Sequence, residues 1–223
     1  PKISPCNKFT PKLKIASIDI ESSKKTGKLF CIGIYAESKK EVFMLTKHKL
    51  KNVIECRSEE ECLEKFKEAI IKLDPDVITG WNVIDFDFVY LRNLFNKHKI
   101  PFDIGRNNEN IRLRIEKNFF RSSSVEIPGR QVIDGINLIR DPFIQEAPSI
   151  KKAKFESYAL EDVSQAILGK GKMIAGEGRH KEIENLYEKN TSESHQKLAD
   201  YNLTDCQLVY DILEKIKILD LAT

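Results

Sequence analysis

The stretch LKIASIDIESSKKTGKLFCIGIYAESKKEVFML, residues 13–45, decides the fold of this chain. It contains three apolar runs, at 13–20, 29–36 and 41–45, which are rich in β-branched and aromatic residues and are separated by short polar connections. Runs of this length and composition are typical of β-strands, and connections this short join neighbouring antiparallel strands. We therefore predict a three-stranded antiparallel meander.

The residues after the meander alternate between helical and strand patterns. Ser58 and Glu61 have the spacing of a capping box, and apolar residues then recur at helical spacing over 63–73. The stretch DVITGW at 76–81 predicts a short buried strand, and the residues from Phe86 onward predict a helix. A strand, a loop and a helix in this order indicate an α/β layer with a parallel neighbouring strand.

The second half of the chain begins with an arginine-rich stretch at 103–130, where apolar residues alternate from Ile111 to Ile115 and predict a hairpin. A strand and a helix are predicted at 131–139. Further helices are predicted from Tyr158 to Leu168, closed by Gly169, and from about Thr191 to Leu219. Residues 1–12 contain three prolines and no apolar periodicity, so we predict an extended lead-in or linker there and a domain over 13–223.

The composition excludes several classes of protein. Of the 223 residues, 41% are hydrophobic and 32% are charged, which fits neither a disordered chain nor a membrane protein. The sequence has neither the roughly 20 consecutive apolar residues of a membrane span nor a signal peptide, so we expect no membrane association and a cytoplasmic location. The five cysteines form no Cys-x-x-Cys pair, which argues against a disulfide framework and a zinc site. The net charge of +3 permits binding to a polyanion without demanding it.

Two carboxylates stand at the end of the first predicted strand. Asp19 and Glu21 are two residues apart, so their side chains point to the same face. Two carboxylates on one face repel each other and lose hydration unless water or a cation is present. An oxygen-only site favours a hard cation such as Mg²⁺ or Mn²⁺. The alternative is that both side chains simply reach solvent at the end of the strand.

Two further positions carry carboxylates with an open role. Asp87 falls in the first turn of a predicted helix, where it is either a capping group or a ligand, and Asp85 is the better candidate for the cap. Tyr201 and Asp205 are four residues apart on the final helix and share a face, which need not belong to the core. Tyr158 and Asp162 have the same spacing, so this pair alone is a weak signal.

Three short motifs occur in a fixed order along the chain: Asp19-x-Glu21, Asn82-x-x-x-Phe86-Asp87 and Tyr201-x-x-x-Asp205. Together they resemble the three exonuclease motifs of family B DNA polymerases, in the tyrosine branch of the Asp-Glu-Asp-Asp 3′→5′ exonucleases. The stretches at 129–141, 155–172 and 198–213 look most like the bacterial DNA polymerase II branch of that family. The similarity extends over nearly the whole chain from residue 13.

This resemblance implies an RNase H-like α/β fold, with a mixed sheet flanked by helices and an inserted β-hairpin. It implies a 3′→5′ proofreading exonuclease domain over 13–223, as a fragment of a larger polymerase and without polymerase activity of its own. Two divalent ions, Mg²⁺ or Mn²⁺, would be held by the four carboxylates of the motifs, Asp19, Glu21, Asp87 and Asp205. Tyr201 would position the attacking water, and Tyr158 and Asp162 would belong to a structural helix.

The expected substrate is single-stranded DNA or a frayed primer terminus, and the other expected partners are the remaining polymerase domains, in the bacterial cytoplasm or nucleoid. By the resemblance, Asn82 and Phe86 would line the terminal nucleotides, although Phe86 has core packing as an equal alternative. The hairpin region, 107–126, would help to separate primer from template. A basic track would run from this region along Arg106, Arg112, Arg114, Lys117, Arg121 and Arg130, each of which also fits an ordinary solvated surface.

Two other functions stay open at this point. The first is a noncatalytic exonuclease-like module that only holds DNA, against which all four acidic positions argue. The second is a freestanding RNA exonuclease of the same superfamily, because carboxylates and a tyrosine do not distinguish the sugar. A metal-free phosphodiesterase is disfavoured because His48, His98, His180 and His195 show no relay or ligand spacing, and we interpret these histidines as surface or structural residues.

Overall fold

The computed structural model describes residues 12–116, 123–147, 150–151, 153–174 and 178–217. These residues form eight strands, seven helices and one 3₁₀ turn at Arg106–Asn108. The strands are β1 Ile15–Ser22, β2 Leu29–Ala36, β3 Lys39–Leu45, β4 Val53–Cys56, β5 Val77–Gly80, β6 Arg112–Arg114, β7 Ser124–Glu126 and β8 Gln131–Asp134. The helices are α1 Glu59–Leu73, α2 Asp87–Lys97, α3 Gly135–Arg140, α4 Pro142–Gln145, α5 Leu160–Leu168, α6 Arg179–Glu188 and α7 Ser192–Ile216.

Six strands form one mixed sheet in the order β4-β3-β2-β1-β5-β8. β1 pairs antiparallel with β2, and β2 pairs antiparallel with β3, which confirms the predicted meander. The β1–β5, β5–β8 and β3–β4 pairs are parallel. The predicted α/β class with a mixed sheet and flanking helices is therefore confirmed, whereas β4 is a strand that the sequence pattern did not indicate.

The helices cover both faces of this sheet because the strand side chains alternate in direction. Ala16, Ile18 and Ile20 of β1 belong to a core with α1 and α2. Ile15 of β1 belongs to a second core with α5 and α7, and β2 and β3 contribute to a third core with α6 and α7. Asp19 shares the parity of Ile15, so the carboxylates of β1 face α7.

Helix α1 begins and ends as its sequence predicts. The Ser58 side chain accepts a hydrogen bond from the backbone N–H of Glu61 at 3.2 Å. The Glu61 carboxylate accepts from the N–H of Arg57 instead of Ser58, so the reciprocal half of the capping box is shifted by one residue. The helix stops at Asp74, which adopts a left-handed conformation with φ 48° before Pro75.

The inserted hairpin is present between α2 and β8, as β6 paired antiparallel with β7. The tip of the predicted hairpin, including Lys117 and Arg121, lies outside the described residues. The lead-in at 1–11 lies outside them as well, so the proposed linker stays a prediction.

Other boundaries differ from the predictions. Helix α5 begins at Leu160, two residues later than predicted, and is closed by Gly169 in the left-handed conformation as expected. Helix α7 ends at Ile216 because Lys217 turns left-handed with φ 50°. The four described cysteines, Cys31, Cys56, Cys62 and Cys206, are free and buried. Among the described helices, none combines the length and the apolar character needed to span a membrane.

Candidate active site

The structure brings together three of the predicted site carboxylates. Asp19 and Glu21 lie on β1, and Asp205 lies on α7, which packs against that strand. One carboxylate oxygen from each of the three lies within 4.8 Å of the others. Asp205 is 3% exposed, and the other two are half-buried, so the group forms the floor of a partly enclosed acidic site.

Asp87 lies beside this group. It is 1% exposed in the first turn of α2, and its Oδ1 atom has no hydrogen-bond partner among the described residues. Burial and then the charge of Asp19 raise its pKa well above the ordinary value. The N-cap residue of α2 is Phe86, which makes no side-chain capping bond, so the prediction that Asp85 is the cap is wrong. A buried carboxylate without a capping role is available as a ligand.

The electrostatics of the site favour a bound cation. Burial, followed by the charge of Asp205, raises the pKa of Asp19 to about 7. Burial and the charges of Asp19 and Asp205 raise the pKa of Glu21, and burial raises the pKa of Asp205. Asp205 Oδ1 is buried and unpartnered among the described residues, like Asp87 Oδ1. Carboxylate oxygens that have no hydrogen-bond partner and repel one another are suitable ligands for Mg²⁺ or Mn²⁺.

A close approach between α7 and the sheet sets the position of Asp205. Gly33 on β2 pairs with Asp19 on β1 and faces α7. A Cβ at position 33 would lie 2.2 Å from Asn202 Oδ1 and 2.9 Å from Cys206 Sγ, so any larger residue would displace these two buried side chains. Asn202 then donates a hydrogen bond from Nδ2 to Asp19 Oδ2 at 2.7 Å. This bond ties the helix to the first carboxylate and fixes the orientation of that carboxylate.

Tyr201 is more deeply placed than its sequence position suggested. It is 1% exposed and belongs to the core formed with β2, β3 and α6. Burial, and then the charge of Asp205, raises the pKa of the phenol further above its ordinary value. The hydroxyl therefore stays protonated at neutral pH and can donate a hydrogen bond, but it is unsuited to act as a base.

Lys172 is a site residue that the sequence patterns did not reveal. Its ammonium group forms an ion pair with Asp205 Oδ2 and lies 3.4 Å from the Tyr201 hydroxyl. Its side chain is 7% exposed. The residue lies in a loop after α5, where no periodicity indicates which way a side chain points. Its only sequence signal was the GKGK stretch itself.

Comparison with known proteins places the chain in a family. The model of "DNA polymerase family B, exonuclease domain" matches residues 4–163, which include the first two motifs. DNA polymerase II of Escherichia coli (strain K12) is 33% identical over 227 residues, covering 98% of this chain and 27% of that protein. The chain belongs to the exonuclease domain of family B DNA polymerases.

Two further proteins are similar to this chain, one in sequence and one in fold. The DNA polymerase of Thermococcus litoralis is 30% identical over 206 residues, covering 90% of this chain and 11% of that protein. The family B DNA polymerase of Pyrobaculum calidifontis shares the fold, with a TM-score of 0.71 and 19% identity over 94% of this chain and 25% of that one. The chain thus spans about a quarter or less of the length of these relatives.

The acidic site of this exonuclease domain opens into a cleft of about 720 Å³. Asn82 and Phe86 line it, and their contact with the terminal nucleotides stays a prediction. Phe86 is 48% exposed, which is inconsistent with the alternative of core packing. Asn82 adopts a left-handed conformation with φ 62°. The other lining residues outside the carboxylates and Tyr201 include Trp81, Ile136, Arg140, Tyr158, Lys172, Arg179 and His180.

The expected role of Tyr158 needs correction. It precedes α5 and lines the cleft, so it does not belong to a purely structural helix. Its carbonyl accepts a hydrogen bond from Trp81 Nε1 at 3.1 Å, and its hydroxyl accepts one from Gln145 Nε2 at 2.8 Å. The guanidinium of Arg140 lies 5.0 Å from the centre of its ring. Asp162 does lie in the helix, as predicted.

The proposed basic track is also corrected. The Arg130 side chain is 2% exposed and bonds to Asp74 Oδ1 and to the carbonyls of Pro75 and Ile104, so it is not accessible to DNA. Arg106 is held by Asp74 and Asp76 at 3.0 and 2.7 Å, which gives it a structural role.

The structure describes only some of the remaining residues of the proposed basic track. Arg112 and Arg114 are exposed on one face of β6, and each forms an ion pair, with Glu126 at 3.2 Å and with Glu116 at 3.6 Å. Their contact with DNA stays a prediction. Arg121 lies outside the described residues.

The histidines include structural residues and one residue that lines the cleft. His195 is 2% exposed and bonds to Thr46 and to the carbonyl of Tyr187, and its ring lies against that of His48, so both are structural as predicted. His98 bonds to Glu59 at 3.0 Å. His180 lines the cleft, which its sequence spacing did not suggest.

Proposed function

We propose that the chain is a 3′→5′ exonuclease domain of a larger DNA polymerase and hydrolyses the 3′-terminal phosphodiester bond of single-stranded or frayed DNA. The observation that carries this proposal is the convergence of Asp19, Glu21 and Asp205 within 4.8 Å, with Asp87 buried beside them, at the floor of an open cleft. The same convergence argues against a noncatalytic holding module, because such a module has no need for mutually repelling buried carboxylates.

The four carboxylates would hold two divalent ions. Such ions, when bound, lower the pKa of an attacking water and offset negative charge on the attacking and leaving oxygens. Among the chain's own residues, Asn202 holds the Asp19 carboxylate in one orientation through its 2.7 Å hydrogen bond. Lys172 supplies one positive charge against Asp205.

Tyr201 would orient the attacking water. Its phenol remains protonated, since burial and the nearby carboxylates raise its pKa. It can therefore fix the direction of a water through a hydrogen bond without removing the proton. Its fixed position, 1% exposed in the core, gives the orientation that this task needs.

The cleft fits the end of a single strand better than a sequence-specific ligand. Trp81, Phe86 and Tyr158 line it and offer aromatic surfaces on which bases of any identity can stack. Stacking of this kind suits a proofreading site, which must accept every terminal nucleotide. A frayed primer terminus is therefore the substrate that we propose, and the location in the bacterial cytoplasm or nucleoid stays a prediction.

The test is a time course on 5′-end-labelled single-stranded DNA and on RNA of the same sequence, with Mg²⁺, with Mn²⁺ and with chelator. We expect a ladder of products shortened from the 3′ end, dependent on metal and stronger on DNA. Asp200→Asn is a matched control, because Asp200 lies on α7 next to Tyr201 but is exposed. Absence of cleavage with either metal would support the holding module, and faster cleavage of RNA would support the RNA exonuclease.

The hairpin of β6 and β7 is proposed to help separate the primer from the template. It is an exposed two-stranded insertion between α2 and β8 that carries Arg112 and Arg114 on one face. Replacing residues 112–126 by a short glycine linker should reduce cleavage at duplex ends more than cleavage of single strands. Equal losses on both substrates would contradict this role.

A further inference from the structure

A group of basic side chains lines the cleft on one side of the acidic site. Lys24 follows β1 in the turn to β2, and Arg179 and His180 begin α6. All three line the cleft. None of their side chains forms a hydrogen bond or an ion pair with any residue that the structure describes, although nearby Lys25 and Lys197 are both paired. We call these three residues the basic rim.

The basic rim is held together by a buried contact beneath it. Glu184, one turn after His180 on α6, is 6% exposed. Its carboxylate accepts a hydrogen bond from Ser23 Oγ at 3.1 Å and pairs with Lys25 Nζ at 2.9 Å. These two residues flank Lys24, so the turn and the start of α6 are fastened to each other. These contacts therefore hold the residues of the basic rim close together.

Lys24, Arg179 and His180 line the same cleft as Asp19, Glu21 and Asp205. Burial, and then the positive charges of Lys24 and Arg179, lower the pKa of His180. The charge of Arg179 also lowers the pKa of Asp19, Glu21 and Asp205, against the larger effect of burial. Arg179 thus shares one cleft with the acidic floor and faces the space that a bound strand would occupy.

Charge balance indicates which kind of ligand the basic rim would bind. Two divalent ions would balance the four carboxylates, so the phosphates of a bound strand need other positive charges in the cleft, and Lys172 is already paired with Asp205. Lys24 and Arg179 are cations without a partner among the described residues, so they are suited to phosphate oxygens, and the guanidinium can bind two of them at once. His180, whose pKa is lowered, adds a hydrogen-bond donor.

The aromatic residues Trp81, Phe86 and Tyr158 directly follow β5, directly precede α2 and precede α5. The basic rim lies on other segments, the β1–β2 turn and the start of α6.

We propose that Arg179, supported by Lys24 and His180, binds a backbone phosphate of the strand next to the terminal nucleotide. This inference rests on the proposed function, since it takes single-stranded DNA as the ligand. It assigns Arg179 a binding role and gives it no part in the chemistry.

The first test is binding of a 5′-fluorescein-labelled single-stranded oligodeoxythymidylate in chelator, measured by fluorescence anisotropy as a function of salt concentration. Loss of one phosphate contact should reduce the slope of log affinity against log salt by about 0.7. We expect this change in Arg179→Ala and its recovery in Arg179→Lys, which keeps the charge. Lys181→Ala is the matched control, because Lys181 is exposed one residue away from the rim and does not line the cleft.

The second test uses cleavage with Mg²⁺. Arg179→Ala should raise KM about tenfold, as expected for a charge-assisted hydrogen bond, and should leave kcat within about twofold. Oligonucleotides with a single neutral methylphosphonate linkage, moved stepwise from the second linkage inward, should show one position at which the variant and the wild type no longer differ. That position identifies the phosphate.

The outcomes separate this inference from the proposed function. Normal cleavage by the wild type, with slope and KM unchanged in Arg179→Ala or changed equally in Lys181→Ala, would overturn the phosphate contact alone. Binding with the expected loss of slope but without any cleavage would support the contact and overturn the proposed nuclease. A KM effect that persists at every methylphosphonate position would also contradict a direct contact.

Discussion

Two groups of charged side chains in this chain contain the same kinds of residue and behave in opposite ways. In the cleft, burial raises the pKa of Asp19, Glu21, Asp87 and Asp205. In the second group, Asp74, Asp76, Arg106 and Arg130, hydrogen bonds lower the pKa of both aspartates. We call this second group the arginine cluster.

The difference lies in which charges find partners within the chain. The arginine cluster is complete, because Asp74 receives bonds from both arginines. Arg106 also bonds to the carbonyl of Gly129, and Arg130 bonds to the carbonyls of Ile104 and Pro75. The arginine cluster fastens the base of the hairpin to the end of α1. In the cleft, Lys172 is the one described basic residue in an ion pair with the four carboxylates, and two buried oxygens have no partner. An incomplete charge group indicates a ligand, and a complete one indicates structure.

The largest contrast is expected in catalysis. Asp205→Asn should reduce kcat for cleavage of single-stranded DNA by about three orders of magnitude, because a ligand oxygen of the acidic site is lost. Asp74→Asn should leave kcat unchanged, since that carboxylate bonds only to the arginine cluster. Single-turnover kinetics on end-labelled DNA measures both. Similar losses in the two variants would show that the site does not act through its incomplete charges.

Substitution of Tyr201 separates turnover from metal binding within the cleft. Tyr201→Phe removes one hydrogen-bond donor and should reduce kcat about 10- to 100-fold while metal binding persists. Tyr158→Phe is the control, because that hydroxyl bonds to Gln145. Isothermal titration with Mn²⁺ and single-turnover cleavage give the two readouts. Unchanged turnover in Tyr201→Phe would eliminate its assigned role, and an equal loss in Tyr158→Phe would assign the role to the other tyrosine.

A substitution in the arginine cluster should change the free energy of unfolding and leave the activity unchanged. Arg130→Ala removes a buried guanidinium that satisfies one carboxylate and two carbonyls, and should lower the free energy of unfolding by about 2 kcal/mol. Urea unfolding measures this change. The KM for DNA should stay the same, because the side chain is 2% exposed. A raised KM with unchanged stability would restore Arg130 to the DNA-binding track.

The smallest effect is a pH dependence of opposite sign in the two groups. Asp19 has its pKa raised from 3.8 to about 7 in the folded state, so the folded chain binds the additional proton and loses stability as the pH rises from about 4 to about 7. The lowered pKa values of Asp74 and Asp76 add stability above about pH 4 that is lost as the pH falls.

Thermal unfolding in chelator, followed by circular dichroism from pH 3 to 8, checks this sign. Asp19→Asn should flatten the decline between pH 4 and 7, and Mg²⁺ should raise the Tm most at the upper end of the range, where the carboxylates are ionised. A decline that persists unchanged in Asp19→Asn would assign it to other groups.

Local sequence patterns were sufficient for most of the architecture. Alternation and turn length predicted the meander, helical spacing with a capping box predicted α1, and helical spacing alone predicted α7. The order of three motifs predicted which carboxylates converge, and the structure brings Asp19, Glu21 and Asp205 together. These features depend on residues close in sequence or on a resemblance, so no knowledge of tertiary packing was needed.

The rest depended on distant contacts. Lys172 and Arg179 lie in or beside irregular segments, and only the path of the chain between α5 and α6 carries them to β1. Arg130 has the sequence appearance of a surface residue, yet the loops around β5 and β8 enclose it. β4 is a parallel edge strand whose pairing with β3 no local pattern specifies. A single hydrogen bond from Asn202 to Asp19 spans 183 residues of sequence.

The absence of a side chain at Gly33 has a consequence for how this domain could be inactivated. A methyl group there would collide with the side chains of Asn202 and Cys206, which would have to shift. Because Asn202 holds the Asp19 carboxylate through a hydrogen bond, this shift would disturb that carboxylate while every ligand remained present in the sequence. The geometry of the acidic site therefore depends on a residue that takes no part in the reaction. A comparison of the acidic residues alone would not detect such a mutation.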